Sequence, residues 1–391
     1  MNPQTLAARA GIESKLGVAK PLNLAIHQST VYSYDNLEQL ETVLAGQETG
    51  FFYYRNGHPN AAALEQVLAQ LEVGEACAVA ASGMAAISGA FLAILKAGDH
   101  VLADQNAYGG TFALLTEDLP RLGIGATFVD MQDLAAVENA LRANTKILHI
   151  ESLSNPTMRV TDIPALVASA QTRGIKVCVD STFSTPALIR PLELGADLVF
   201  HSLAKYLDGH SSVMGGAVIG SKELIDATRV RLIHLGGTMA AFDAWNALNG
   251  IKTLSLRMNA HSRNSLEVAR FLNRHEKVAR VDFPGLEHHP QFELATRLYP
   301  NGLGGMLSFE LHGGYAAASK FVKTISPRIP LATSLADVSS TLSYPYGTSH
   351  RALTPEARAK INVTDGLLRL SVGIEAIEDI LADLEFGLIA V

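Results

Sequence analysis

Short apolar runs recur along the middle of the chain, at 76–80, 100–103, 125–129, 146–151, 175–180, 197–201 and 215–219. They carry Val, Ile, Ala, Leu and Phe without strict alternation, the pattern of strands buried on both faces. Between them, residues 84–96, 109–122, 133–142 and 162–173 repeat their apolar positions at helical spacing. Strand–helix alternation of this kind predicts an α/β fold, with a mainly parallel sheet covered by helices on both faces. In such sheets ligands sit at the carboxyl ends of the strands.

Both ends of the chain read differently. Residues 1–59 show little periodicity and close on the turn-rich Tyr53-Tyr54-Arg55-Asn56-Gly57-His58-Pro59-Asn60, which suits an arm followed by a helix over 61–71. Past Gly250 a long helix, Ile251 to Arg274, leads to strands at 278–283, 305–311 and 367–372 and a closing helix from Ile377 to Leu388. The expected organisation is an arm over 1–59, a large domain over 60–250 and a smaller α+β C-terminal domain over 251–391.

Composition narrows the class. The chain has 391 residues, and 48% hydrophobic content is ample for a sizeable core. A formal charge of −7, with no run of lysines and arginines, argues against nucleic acid as a partner. Cys77 and Cys178 both lie in apolar segments and read as buried free thiols in a reducing compartment. Residues 1–26 lack a signal-peptide pattern. The uncharged stretch Ala76 to Leu95 is long enough to span a bilayer, but Ser82-Gly83-Met84 interrupts it. The expectation is a cytoplasmic protein without a membrane span.

Lys205 carries the most chemistry. It stands just past the apolar run that ends at His201, and Asp180 closes the earlier run Ile175-Lys176-Val177-Cys178-Val179-Asp180. A strand-end acid and a lysine past a neighbouring strand suit a cofactor with a basic ring nitrogen and a carbonyl carbon. Pyridoxal phosphate (PLP) is such a cofactor. A solvated lysine and a helix-capping aspartate are the alternative for that pair taken alone.

Other segments add to the pair. Ser82-Gly83-Met84 turns from a strand into a helix, where free N–H groups and the helix dipole can form an anion site, or where Ser-Gly serves as the ordinary structural turn of an α/β unit. Ser202 adds a hydroxyl nearby. Tyr108, opening Tyr108-Gly109-Gly110-Thr111, offers a ring for stacking and a phenol proton, or simple core packing. Asn155 either meets a ligand or makes a turn before Pro156. Arg369 sits in an apolar strand, where it captures a carboxylate or forms a structural ion pair. The histidines show no His-Glu-x-x-His and the cysteines no Cys-x-x-Cys, so no metal site is expected. The lack of a Gly-x-Gly-x-x-Gly or Walker loop counts against nucleotide binding.

In this order, and from about Asn23 onward, these segments resemble the Cys/Met-metabolism family of PLP enzymes, most specifically in Ser202-x-x-Lys205-Tyr206 followed by Gly209-His210. The resemblance implies the aspartate aminotransferase-like fold of the PLP-dependent transferases, fold type I. It implies Lys205 as the lysine that binds the cofactor, Asp180 on the ring nitrogen, and Gly83, Met84 and Ser202 on the phosphate. Tyr108 would stack on the ring. Tyr53 and Arg55 match a Tyr-x-Arg that reaches the phosphate of a neighbouring subunit, which implies a dimer of shared sites, assembling to a tetramer. Asn155, Ser334 and Arg369 would surround the substrate.

Departures from the family pattern bear on the substrate. Ala204 replaces a phosphate-binding threonine, Ala336 a glycine whose loss is expected to reshape the substrate loop, and Gly110 the cysteine usual in methionine γ-lyases. Thr333 and Phe112-Ala113-Leu114-Leu115 stand where enzymes acting on cystathionine often carry charges. A charged substrate tail would then lack a partner unless Arg351 or His350 supplies one. The implied activity is a carbon–sulfur lyase performing α,γ-elimination on a methionine- or homocysteine-like substrate, with Lys205 and Tyr108 as catalytic groups. The alternatives are a cystathionine γ-lyase, a γ-replacement enzyme of the cystathionine γ-synthase or O-acetylhomoserine sulfhydrylase type, and a non-catalytic PLP-binding homologue.

Overall fold

A computed structural model describes residues 22–349, 351 and 354–391. Residues 1–21 of the expected arm and His350 lie outside the described residues. Seven strands form the larger sheet: β1 (Ala76–Ala80), β2 (His100–Asp104), β3 (Gly125–Val129), β4 (Thr145–Glu151), β5 (Lys176–Asp180), β6 (Leu198–Ser202) and β7 (Gly216–Gly220). Their spatial order is β1-β7-β6-β5-β4-β2-β3. All neighbours run parallel except β7, which pairs antiparallel with both β1 and β6.

Burial follows the apolar runs. Strands β2 and β7 are buried at every position, and the sheet separates two apolar clusters. One face packs on the helix Gly83–Ile94 and the helix Lys222–Leu235. The other meets the helices Pro59–Glu72 and Ile163–Gln171. The chain is thus an α/β protein with a mainly parallel sheet covered by helices on both faces.

One expected helix differs. The stretch 109–122 is helical as Gly109–Ala113, widens at Leu114–Asp118 and tightens at Leu119–Leu122, where Pro120 removes a donor N–H. The long helix expected over Ile251 to Arg274 runs Leu254–Arg274, and a separate helix, Ala241–Ile251, precedes it. The smaller sheet is antiparallel, ordered β10-β11-β9-β8, from β8 (Val278–Asp282), β9 (Met306–Leu311), β10 (Thr341–Ser343) and β11 (Leu367–Ser371). Strand β10 and the helix Gly314–Ile325 extend the expected set. The closing helix, Ile377–Ile389, packs on Gly314–Ile325. Among the described residues, no helix is long and apolar enough to cross a membrane.

Candidate active site

The parallel strands end on one side, and a cleft of about 690 Å³ opens there. Gly83, Met84, Tyr108, Asn155, Asp180, Ser202, Lys205 and Arg369 all line it. Eight sequence-predicted residues from six separate segments therefore converge. Ser334 does not line the cleft, but its Oγ accepts a hydrogen bond from Lys205 Nζ at 2.9 Å. Tyr53 and Arg55 stay away from the cleft of their own chain. Arg55 borders a small cavity beside Arg229 and Met239, with its guanidinium 5.6 Å from the centre of the Tyr53 ring.

The anion cradle is built by glycine at two points. Ser82 caps the helix Gly83–Ile94, its Oγ accepting the Ala85 N–H at 3.1 Å. The N–H groups of Gly83 and Met84 belong to the first turn and have no acceptor within the helix. A Cβ at Gly83 would come 3.2 Å from Ser202 Cβ, so glycine keeps the cradle open. Gly216 on β7 backs the same turn, where a Cβ would strike the Ser82 carbonyl oxygen at 2.2 Å. The antiparallel β7 thus lets two backbones meet under the cradle.

Asp180 ends β5 with one carboxylate oxygen accepting the Thr182 N–H at 3.0 Å. Burial raises its pKa, against the opposing pull of the Thr182 hydrogen bonds and of nearby His201. Thr182 Oγ1 accepts the Ser202 N–H at 2.9 Å, tying the acid's loop to the segment that carries Lys205. Burial, and secondarily the Arg369 guanidinium, lower the pKa of the Lys205 ammonium. A depressed pKa enlarges the free-amine fraction, the form able to attack a carbonyl or accept a proton.

Arg369 lies in the middle of β11, between Ser343 on β10 and Ser308 on β9, and only 5% of it is exposed. It donates to Asn155 Oδ1 at 2.7 Å and to the Ser334 carbonyl oxygen at 3.4 Å, while its Nε has no partner. Burial lowers its pKa to about 10, so it stays a cation at neutral pH. Among the described residues it has no carboxylate partner, which suits the capture of a substrate carboxylate better than the structural ion pair weighed from sequence.

The departures are also placed. Ala204 lines the cleft without a hydroxyl. Ala336 adopts a φ of 72°, the left-handed region, and its N–H donates to Ser371 Oγ at 2.8 Å. The alanine thus holds a backbone conformation that glycine adopts more readily. Gly110 leaves room that the Tyr108 ring occupies: a Cβ would sit 2.7 Å from Tyr108 Cε1. Thr333 and Arg351 line the cleft, but the run Phe112 to Leu115 does not. Phe112 packs against Phe128 with the two rings tilted, and Leu115 is buried in the core, so that run does not face the substrate in this chain.

Sequence reasoning missed Glu151 and Thr182, which line the same cleft. Glu151 ends β4 directly beside Asp180, and it accepts the Tyr108 N–H at 2.5 Å and the Asn155 N–H at 3.3 Å. Its strand-end position was a signal, identical in kind to that of Asp180.

These residues fit PLP: a cradle that a Cβ would crowd, an acid at a strand end and a lysine of lowered pKa face one cleft. The comparisons agree. The chain is 42% identical over 372 residues to an L-methionine gamma-lyase of Fusobacterium nucleatum subsp. polymorphum, spanning 94% of this chain and 93% of that one. It is 40% identical over 387 residues to a cystathionine gamma-lyase of Bacillus subtilis, spanning 98% of each. A solved structure from Campylobacter jejuni, assigned as an O-acetylhomoserine (thiol)-lyase, superposes with a TM-score of 0.89 at 32% identity, covering 94% of this chain and 95% of that one. That structure carries a pyridoxyl-lysine phosphate. The sequence profile of one family spans residues 4–389. Matched along almost its whole length, the chain belongs to the Cys/Met metabolism family of PLP-dependent enzymes.

Proposed function

We propose that the protein is a carbon–sulfur lyase that performs α,γ-elimination on a methionine- or homocysteine-like amino acid, giving a thiol, ammonia and a 2-oxo acid. The observation that carries this reading is the Lys205–Ser334–Arg369 contact. The proton-moving amine and the carboxylate-binding guanidinium are held one residue apart, through Ser334 Oγ at 2.9 Å and Ser334 O at 3.4 Å.

When bound, PLP supplies an aldehyde that condenses with an amine and a protonated ring that draws electrons from Cα. Gly83, Met84 and Ser202 would hold its phosphate, and Asp180 its ring nitrogen. Tyr53 and Arg55 of a neighbouring copy would complete the phosphate site, since neither reaches the cleft of its own chain. Arg369, braced by Asn155, would take the substrate α-carboxylate. Lys205 Nζ would remove the Cα proton and then a Cβ proton. The Tyr108 phenol would protonate the departing sulfur.

The neutral tail expected of the substrate suits Leu153, Phe183, Met214 and Leu335 in the cleft wall, together with Thr333. The test is a substrate panel. Purified protein loaded with PLP is incubated with methionine, homocysteine, cystathionine and O-acetylhomoserine, with and without an added thiol. Release of thiol and 2-oxobutanoate from methionine or homocysteine, with kcat/KM above that for cystathionine, is expected. Thioether formation from O-acetylhomoserine and added thiol, with no elimination from methionine, would replace elimination by γ-replacement. A kcat/KM clearly favouring cystathionine would reject the neutral tail and leave the PLP chemistry in place.

A further inference from the structure

Glu151 is a buried carboxyl, 6% exposed, at the carboxyl end of β4. Its neighbour in register is Asp180, another acid, and its two oxygens meet N–H groups instead of a cation. Burial, then the charges of Asp180 and Asp104, push its pKa well above the usual carboxylate range. A carboxyl kept in such a place is costly unless its hydrogen bonds do something specific.

Those hydrogen bonds join the catalytic groups. From Glu151 one bond runs to the Tyr108 N–H at 2.5 Å and another to the Asn155 N–H at 3.3 Å. Asn155 Oδ1 continues to Arg369 at 2.7 Å, Arg369 to Ser334 O at 3.4 Å, and Ser334 Oγ to Lys205 Nζ at 2.9 Å. The groups that would handle the leaving sulfur, the substrate carboxylate and the Cα proton therefore form one chain. Tyr108 belongs to it through Glu151. The Tyr108 side chain is itself 47% exposed, so core packing does little to fix its direction.

We propose that Glu151 is a positioning residue that aims Tyr108 at the leaving group and registers it against the Asn155–Arg369 carboxylate site. The inference rests on the role given to Tyr108 under the proposed function. A glutamine in its place keeps one acceptor oxygen but sets its NH₂ against the second N–H donor. Leucine keeps the approximate shape and neither acceptor. Small misplacements of a reacting group cost up to about a hundredfold in rate.

The test is a double-mutant cycle of Glu151→Gln with Tyr108→Phe, which retains the Tyr108 backbone N–H but not the phenol. Glu151→Gln alone should lower kcat/KM for the best substrate by at least about tenfold, and Glu151→Leu by more. In the Tyr108→Phe background the same change should cost under about threefold, because the group it aims is gone. Amide exchange of peptides spanning 104–111 and 152–158 should accelerate in PLP-free Glu151→Gln protein while the β6 peptide stays unchanged. Full additivity of the two substitutions, a Glu151→Gln enzyme within twofold of wild type, or exchange that rises everywhere would each overturn the proposal. If Glu151→Gln does not fold, Glu151→Asp, one methylene shorter, enters the same cycle with the same criteria. A Tyr108→Phe enzyme as active as wild type would instead remove Tyr108 from the reaction, the separate failure of the underlying reading.

Discussion

Gly110 shows how much one missing methyl group sets in the cleft. A Cβ there would lie 2.7 Å from Tyr108 Cε1 and 3.0 Å from Met84 Sδ, and the movable neighbour is the Tyr108 ring. Gly110→Ala should therefore act on catalysis and stability in opposite directions. Alanine inside the helix Gly109–Ala113 favours the helix by up to about 1 kcal/mol, so the urea midpoint should hold or rise. Tyr108 should swing aside, and kcat/KM should fall several-fold, read by steady-state kinetics on the same preparation. At this scale the sequence was legible where a residue type is out of place for its surroundings. Lys205 after a buried run and Arg369 inside an apolar strand announce themselves, because burying a charge is expensive. Glu151 carried only the weak signal of its strand end, and Thr182, two residues past β5, carried none. Their meaning comes from the Glu151–Asp180 register and from the Tyr108 and Asn155 loops, distant in sequence, that meet on one carboxyl.

The elements themselves were largely readable. The seven apolar runs became seven strands, since a parallel sheet covered on both faces admits little but apolar side chains. The direction of β7 was not readable, because hydrophobicity carries no sign along the chain. The three-residue β10 is too short for a periodic signal. One polar residue inside the sheet makes a prediction. His149 on β4 is fully buried and lies edge-on to Phe91 at 5.4 Å, and among the described residues neither ring nitrogen has a hydrogen-bond partner. Burial lowers its pKa to about 4, whereas the unfolded chain titrates near 6.5. Between those values the unfolded state binds the extra proton, so acidification favours unfolding. His149 accounts for about 2 kcal/mol of lost stability between pH 7 and pH 5 by proton linkage. His100 and His261 act in the same direction, and Asp104, raised to about 6, acts against them. Urea titrations of PLP-free wild type and His149→Leu at both pH values should show a smaller acid loss in the variant. Equal losses would mean that water or a partner already satisfies the ring.

Across the whole molecule, the residues expected around the phosphate do not all meet in one cleft. Lys205, Asp180 and the cradle share a cleft that neither Tyr53 nor Arg55 lines, and Arg55 borders a different cavity. With Arg55 donated to a neighbour, Arg55→Ala and Lys205→Ala should each be nearly inactive alone, by damage to different copies. Mixing and re-exchanging the two should recover activity, approaching a quarter of wild type if dimers pair at random and each hybrid holds one intact site. No recovery in well-exchanged mixtures would place Arg55 in its own chain's chemistry. On the shared phosphate site proposed above, the grip on the cofactor also becomes a matter of mass action. Assembly and PLP binding each favour the other by the same free energy, so a dilute protein sheds its cofactor more readily than a concentrated one.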